Sequence, residues 1–338
     1  MTGSTHARSQ SLPTVSIVTP SYNQAGFLER TIQSVLRQDY ANLDYAIVDG
    51  GSSDGSAEII KKFSGALSWW VSEKDSGQAE AINKGLRRAR GEIVAWLNSD
   101  DLYLPGAIHK AVQALQANPE LGFVFGDAIT IDPDGQPINE LVFGDWGLQE
   151  LLRFRIICQP AVFMRGEVLE KTGGLDQTLH YMLDHHLWLR MARLAPIRHI
   201  PGFLAAARQH PGAKNVNQAA GFGRETLQLF EWLQQEPEFD SQSRQVKGGA
   251  YRLNARYLLD AGQAGPALSW YGRAFAAYPT YTLRHWHRIL YACLCLAGLQ
   301  KIGDRMNERN QQRRTAALKE KLATGRSLSA IQGLENWL

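Results

Sequence analysis

The chain has 338 residues, 44% of them hydrophobic and 20% charged, which excludes a disordered or fibrous protein. Its formal charge of +3 divides unevenly, into −3 over residues 1–220 and +6 over residues 221–338. That balance argues against a nucleic-acid-binding protein and sets the last third apart. Cys158, Cys293 and Cys295 fit no zinc or disulfide spacing and suit a reducing cytoplasm. The polar start has no apolar signal core. No apolar run reaches the roughly 18 residues a membrane span needs, residues 289–299 being the longest candidate. The expectation is a cytoplasmic protein, at most peripheral on the inner face of the membrane.

In chain order, a polar leader over residues 1–12 precedes an apolar strand at 15–19, ended by Pro20. Leu28, Ile32, Val35 and Leu36 recur at helical spacing within residues 26–37. A strand at 45–48 runs into the turn-rich Asp49-Gly50-Gly51-Ser52-Ser53-Asp54-Gly55, followed by a helix through Ile59 and Ile60. A strand at 67–71, a helix at 79–90 stopped by Gly91, and a strand at 93–97 complete the first pattern. Further on come a helix over 104–117, a strand at 123–125 and a Pro133-Asp134-Gly135 turn. A strand at 161–164 and a helix at 184–194 follow. Alternating strands and helices predict βαβ units in a largely parallel sheet. Ligands of such sheets sit at the carboxyl ends of the strands. There the sequence places Ser21-Tyr22-Asn23, Asp49, Glu73 to Asp75, and Asp100-Asp101.

From residue 221 the pattern is helical. Residues 249–279 read as one tetratricopeptide-like hairpin broken at Ala261-Gly262, with Ala255, Leu258, Ala267, Tyr271 and Ala274 inward. No acidic residue occurs over 261–303. A basic, aromatic-rich helix over 282–299 and the cationic stretch 305–321 fit either a cap buried on the main domain or a helix lying in an anionic membrane interface.

Paired carboxylates such as Asp100 and Asp101 raise one another's pKa unless a cation lies between them. Mg²⁺ resolves that conflict with one or two carboxylates plus substrate phosphates; an N-cap ahead of the next helix is the plainer alternative. Asp49 could accept a nucleobase N–H or serve only as a turn residue. Asp184 could take a proton from a hydroxyl or cap its helix. His210 and Lys214, beside Pro211-Gly212, suit an anion. His185 and His186 are adjacent on a helix and point apart, against a joint metal site. Neither G-x-G-x-x-G nor a P-loop is present.

Taken together, these segments resemble the inverting family 2 glycosyltransferases of bacterial polysaccharide biosynthesis. The matching stretches are Val15 through Pro20-Ser21-Tyr22-Asn23, then Ile47-Val48-Asp49-Gly50-Gly51-Ser52-Ser53-Asp54-Gly55-Ser56, then Glu73-Lys74-Asp75-Ser76-Gly77-Gln78 with Ala81-Ile82-Asn83-Lys84-Gly85. Gly91-Glu92 with Trp96-Leu97-Asn98-Ser99-Asp100-Asp101, Gly173-Gly174-Leu175-Asp176, and Leu183-Asp184-His185-His186-Leu187-Trp188-Leu189-Arg190 complete the set. The resemblance implies an α/β GT-A fold over residues 13–220, a Rossmann-like, mostly parallel sheet flanked by helices, with an all-helical extension over 221–338.

By the same resemblance, Pro20, Tyr22, Asn23, Asp49, Asp75, Gln78, Asn83, Asn98, Ser99 and Asp100 would bind the nucleotide. Asn98 stands where the family has the first Asp of its D-x-D. Asp100 and Asp101 would hold Mg²⁺ or Mn²⁺, and His210 and Lys214 would close on the donor diphosphate. Asp184 would be the catalytic base, with Leu183 and His186 in place of more acidic neighbours. Gln159, Met182 and Trp188 would face the acceptor, Trp188 being as readily a core residue of its helix. The implied reaction moves one sugar, with inversion, from a nucleotide-sugar, UDP-sugar favoured, to a saccharide or lipid-linked hydroxyl. The processive members' transmembrane helices and Gln-x-x-Arg-Trp are not found, which favours single transfers. An anionic membrane would be met through residues 280–325. The alternative is an inactive sugar-nucleotide-binding scaffold docking partners through its helices.

Overall fold

The structure is a computed structural model that describes residues 12–324. Residues 1–11 of the expected leader, and the end of the expected extension from residue 325 on, lie outside the described residues. The first half alternates β1 (Val15–Ser21), α1 (Ala25–Leu36), β2 (Leu43–Asp49), α2 (Ser56–Lys62), β3 (Trp69–Ser72), α3 (Gln78–Leu86) and β4 (Ile93–Trp96). There follow β5 (Leu102–Tyr103), α4 (Ala107–Ala117), β6 (Phe123–Ile131), β7 (Pro137–Leu141), α5 (Leu148–Leu152), β8 (Val162–Arg165), α6 (Gly166–Thr172), α7 (Leu183–Leu194) and β9 (Ile197–Arg208). The remainder is helical: α8 (Lys214–Asn217), α9 (Ala219–Leu233), α10 (Glu238–Asp260), α11 (Ala264–Ala277), α12 (Pro279–Leu283), α13 (Trp286–Leu296) and α14 (Gln300–Thr324).

One mixed sheet runs β3-β2-β1-β4-β8-β6-β9-β5, with β7 beside β6. The β3-β2-β1-β4 half is parallel; β8 is antiparallel to both of its neighbours. Every residue of β1 is buried, as a strand covered on both faces requires. Pro20 sits past Val15–Val18, the four residues paired with β4, so its missing N–H costs no bond on that side.

Three differences from the sequence reading have physical causes. α3 ends at Leu86 rather than near 90, because the Arg90 and Gly91 amides turn away to Ser16 Oγ at 3.2 and 2.9 Å. β9, unforeseen, is twelve residues long; Pro201-Gly202 interrupts its apolar pattern where its register with β6 slips at Asp127. β6 likewise extends to Ile131 through that irregularity.

The main core joins sheet residues such as Trp96 and Phe123 to Leu229, Leu233, Val246 and Leu253 of α9 and α10. It is therefore continuous across residue 220. Ala255, Ala267 and Tyr271 are buried in a separate helical core with Leu258 against it, and Ala274 is buried as well. Helix α13 is not a buried cap. Trp286 is 61% exposed, Leu290 39% and Leu296 57%. Helix α14 returns to the sheet edge, where Thr315 Oγ1 donates to Ile138 O at 2.8 Å and Lys321 pairs with Glu140.

Candidate active site

The carboxyl ends of β1, β2 and β4 converge as the parallel sheet dictates. Asp49 ends β2 fully buried. Its Oδ2 accepts from Gly51 N (3.2 Å), Ser52 N (2.9 Å) and Ser72 Oγ (2.6 Å), its Oδ1 from Ser52 Oγ (2.5 Å). Asn23, at φ 51°, lies on the same loop: its amide N–H donates to Ser52 Oγ and its Oδ1 accepts from Ser53 N. Tyr22, 63% exposed, is free above it. Asp75 accepts from Gly77 N at 3.0 Å, and partial burial raises its pKa. A Cβ at Gly50 would lie 2.8 Å from Asp75 Oδ2, so a side chain there would displace the Asp75 carboxylate.

A polar chain crosses the strand ends. Lys214 Nζ donates to Gln78 Oε1 (2.9 Å), Gln78 Nε2 to Asn98 Oδ1 (2.8 Å), and Asn98 Nδ2 to Gln159 Oε1 (3.1 Å) and Asp101 Oδ2 (3.3 Å). Gln159 Nε2 closes the chain on Trp96 O at 2.8 Å. Asp101 Oδ1 accepts from Arg208 N at 2.9 Å, and Ser99 O accepts from Thr31. Burial, then the Asp100 charge, pushes Asp101 well above the usual carboxylate range. Asp100 faces His210 Nε2 at 3.1 Å through Oδ2. Among the described residues its Oδ1 meets no donor.

Asp184 sits in the first turn of α7, half-buried, and accepts from His185 N at 2.7 Å. Burial, together with the Glu225 charge, raises its pKa to about 6 despite that bond. Burial lowers both His185 and His186 to about 4, so each is neutral near pH 7. Asp184 and Asp101 both push the buried Cys158 thiol further up, which places Cys158 within the field of the two carboxylates.

Three expected site residues are used otherwise. Asn83 spends both amide atoms on Leu175, donating to its O at 2.8 Å and accepting from its N at 2.9 Å. Trp188 stacks on Trp96 at 5.2 Å within the core. Met182 is buried there too. The sequence reading missed Glu225 of α9, a buried carboxylate accepting from the amides of His180 (2.7 Å), Tyr181 (2.8 Å) and Met182 (2.8 Å), the loop that leads to Asp184. A lone acid in the apolar stretch Phe222 to Phe230 was the available signal. Arg208, with Nε on Asp100 O and Nη1 on Asp132 O and Pro133 O, was also missed.

Asp100, with one open oxygen, fits a divalent cation that completes its shell with phosphate oxygens; Asp101 is already committed through both oxygens. Among the described residues no group of three or more His, Cys, Asp or Glu side chains could hold a metal alone.

This mixed sheet flanked by helices, with acidic residues at the strand ends, is a GT-A fold. Residues 16–157 match the family model described as Glycosyl transferase family 2. Uncharacterized glycosyltransferases are similar: one of Rickettsia felis is 29% identical over 61% of this chain and 36% of its own length. One of Mycobacterium tuberculosis is 29% identical over 54% of this chain and 70% of its own. A chondroitin synthase of Escherichia coli is 26% identical over 56% of this chain and 28% of its own. The chain thus spans about a third of the length of the first Rickettsia relatives. Among solved structures, Staphylococcus aureus TarS 1–349 with UDP-GlcNAc superposes with a TM-score of 0.54, 16% identity and coverage of 82% of this chain and 79% of that one. The Pyrobaculum calidifontis mannosyltransferase with GDP-Man and Mn²⁺ gives 0.58, 20%, 91% and 87%.

Proposed function

We propose that the chain is an inverting, metal-dependent glycosyltransferase that moves one sugar per encounter from a nucleotide-sugar to a hydroxyl of a saccharide or lipid-linked acceptor. The observation that carries this reading is Lys214. Its Nζ reaches Gln78 Oε1 on the donor side at 2.9 Å and His180 O, in the loop before Asp184, at 3.4 Å. One cation thus spans the two halves of a displacement site. TarS and the mannosyltransferase, crystallised with UDP-GlcNAc and GDP-Man, support a nucleotide-sugar donor.

In this reading the base and ribose pack against Tyr22, Asn23, Asp49 and Asp75. A base N–H reaching Asp49 exchanges for one of its serine hydroxyls. Asp184 accepts the acceptor's proton as the hydroxyl oxygen bonds to the anomeric carbon; the bond to the diphosphate breaks and the nucleoside diphosphate leaves. Mg²⁺ or Mn²⁺ held by Asp100 would supply charge neutralisation at the diphosphate. His210 and Lys214 hold the same phosphates, and Lys214 keeps donor and acceptor loops in line.

Among the described residues no helix is long and apolar enough to cross a membrane. The exposed Leu283, Trp286, Leu290 and Leu296, with the exposed Arg284 among them, suit peripheral contact with an anionic cytoplasmic leaflet. Sugar-nucleotide turnover by the purified chain with Mn²⁺, across UDP- and GDP-sugars, tests the reading. Inertness across the panel favours a binding scaffold instead.

A further inference from the structure

A small cavity of about 50 Å³ lies away from the strand ends, where α5 meets α12. Arg153, Arg155, Tyr278, Thr280, Tyr281 and Arg284 line it. That volume exceeds what one water needs and suits a compact anion. Three guanidinium groups share it, and among the described residues only Arg153 has a carboxylate partner, Glu150 at 3.3 Å. Arg155 lies 5.3 Å from the centre of the Trp146 ring and 5.7 Å from that of Tyr281, within cation–π range of both. Behind them Arg252 is buried over Tyr281 at 4.9 Å. The Nε atoms of Arg153 and Arg252 are buried without partners. Burial and the surrounding cations, Arg252 and Arg288 first, lower His285 to about 3, the mark of a positive field with few counter-charges.

The arginines are held rigidly. Between Arg153 and Arg155, Phe154 adopts a left-handed φ of 55°, strained for a bulky residue. Its O accepts from Arg252 Nη2 at 2.9 Å, and its ring lies 5.5 Å from that of His185, next to Asp184. On α10, a Cβ at Gly249 would lie 2.1 Å from Arg153 O, so the helix seats directly on this turn. Strained backbone, unpaired cations and a pre-formed cavity coincide one aromatic ring from the base helix.

We propose that this cavity binds a phosphate group, presented by a lipid headgroup or by a soluble phosphate. Forked N–H donors from three arginines match the oxygens of a phosphate ester.

The test is calorimetric titration of inorganic phosphate into the full chain at constant ionic strength. Wild type, Arg284→Gln, Arg155→Gln/Arg284→Gln and Lys214→Gln are compared, with thermal melts confirming folding. Arg284 is exposed, so its single variant folds. The proposal expects the single variant to weaken binding at least threefold and the double variant tenfold or more. Absent binding by wild type, unchanged affinity in the arginine variants, or loss only in Lys214→Gln overturns it. Sedimentation with phosphatidic acid vesicles, competed by inorganic phosphate, then assigns the phosphate to a lipid headgroup. Phosphate binding without sedimentation assigns it to a soluble phosphate ligand. Failure of nucleotide-sugar turnover alongside arginine-dependent phosphate binding would remove the transferase reading and leave the site.

Discussion

The Asn98 amide donates to Asp101 Oδ2 at 3.3 Å, at the position where the D-x-D pattern has its first carboxylate. The same Nδ2 donates to Gln159 Oε1, while Asn98 Oδ1 receives Gln78. An Asp here would present acceptors to both Asp101 and Gln159. Asn98→Asp is therefore expected to destabilise the fold by about 1–3 kcal/mol, read as a lower melting temperature. The loss should be larger at pH 8 than at pH 5, where the pair can share a proton.

Asp184 has a pKa raised to about 6 by burial and the Glu225 charge. As a base it must be ionised, so kcat/KM should rise with pH through about 6 and level off above it. The stability effect has the opposite sense. The folded state holds the proton more tightly than the unfolded state, so between about pH 4 and 6 stability falls as pH rises. Asp184→Asn removes that loss, and should be more stable than wild type at pH 7 by on the order of 1–3 kcal/mol. Thermal melts of both proteins at pH 4 and pH 7 check this, the gap opening only at the higher pH.

Glu225 is a positioning residue. Glu225→Gln turns an amide N–H₂ toward backbone N–H donors at residues 180–182 and loosens the loop that delivers Asp184. The expected signature is a kcat loss of about tenfold or more with nucleotide affinity within about threefold of wild type. Equal losses in both would mean a general structural role instead.

Gly249→Ala places a methyl against Arg153 O and should cost about 2 kcal/mol or more. Gly272→Ala, in α11 with nothing within 4 Å, should instead stabilise by roughly 0.5–1 kcal/mol. Urea denaturation of the two variants separates contact from propensity.

The parallel half of the fold was legible because each strand there is a short buried apolar run ended by a polar turn. Val15–Ser21 and Leu43–Asp49 show that plainly. β9 was not, because Pro201-Gly202 masks a strand whose pairing partner is fixed only by the long-range register with β6. The carboxylates Asp49, Asp100, Asp101 and Asp184 stood out at strand ends and a helix start, but spacing left turn and cap alternatives open and only the family resemblance suggested roles for them. What each of their oxygens does depends on tertiary partners such as Ser72, Arg208 and Glu225, which lie far away in sequence. Asn83 and Trp188 show the converse: sequence type suggested ligand contact, and packing absorbed both. The basic third proved to be helices α9 and α10 sharing the main core, followed by an α13 whose apolar face is exposed.

Release of nucleoside diphosphate from a UDP- and GDP-sugar panel with Mn²⁺, measured for wild type and Asp184→Asn beside calorimetric nucleotide binding, tests the central claim most directly. The account predicts turnover by wild type, a loss of about 10³-fold or more in Asp184→Asn, and nucleotide affinity within about threefold. Turnover by Asp184→Asn at close to the wild-type rate would contradict it.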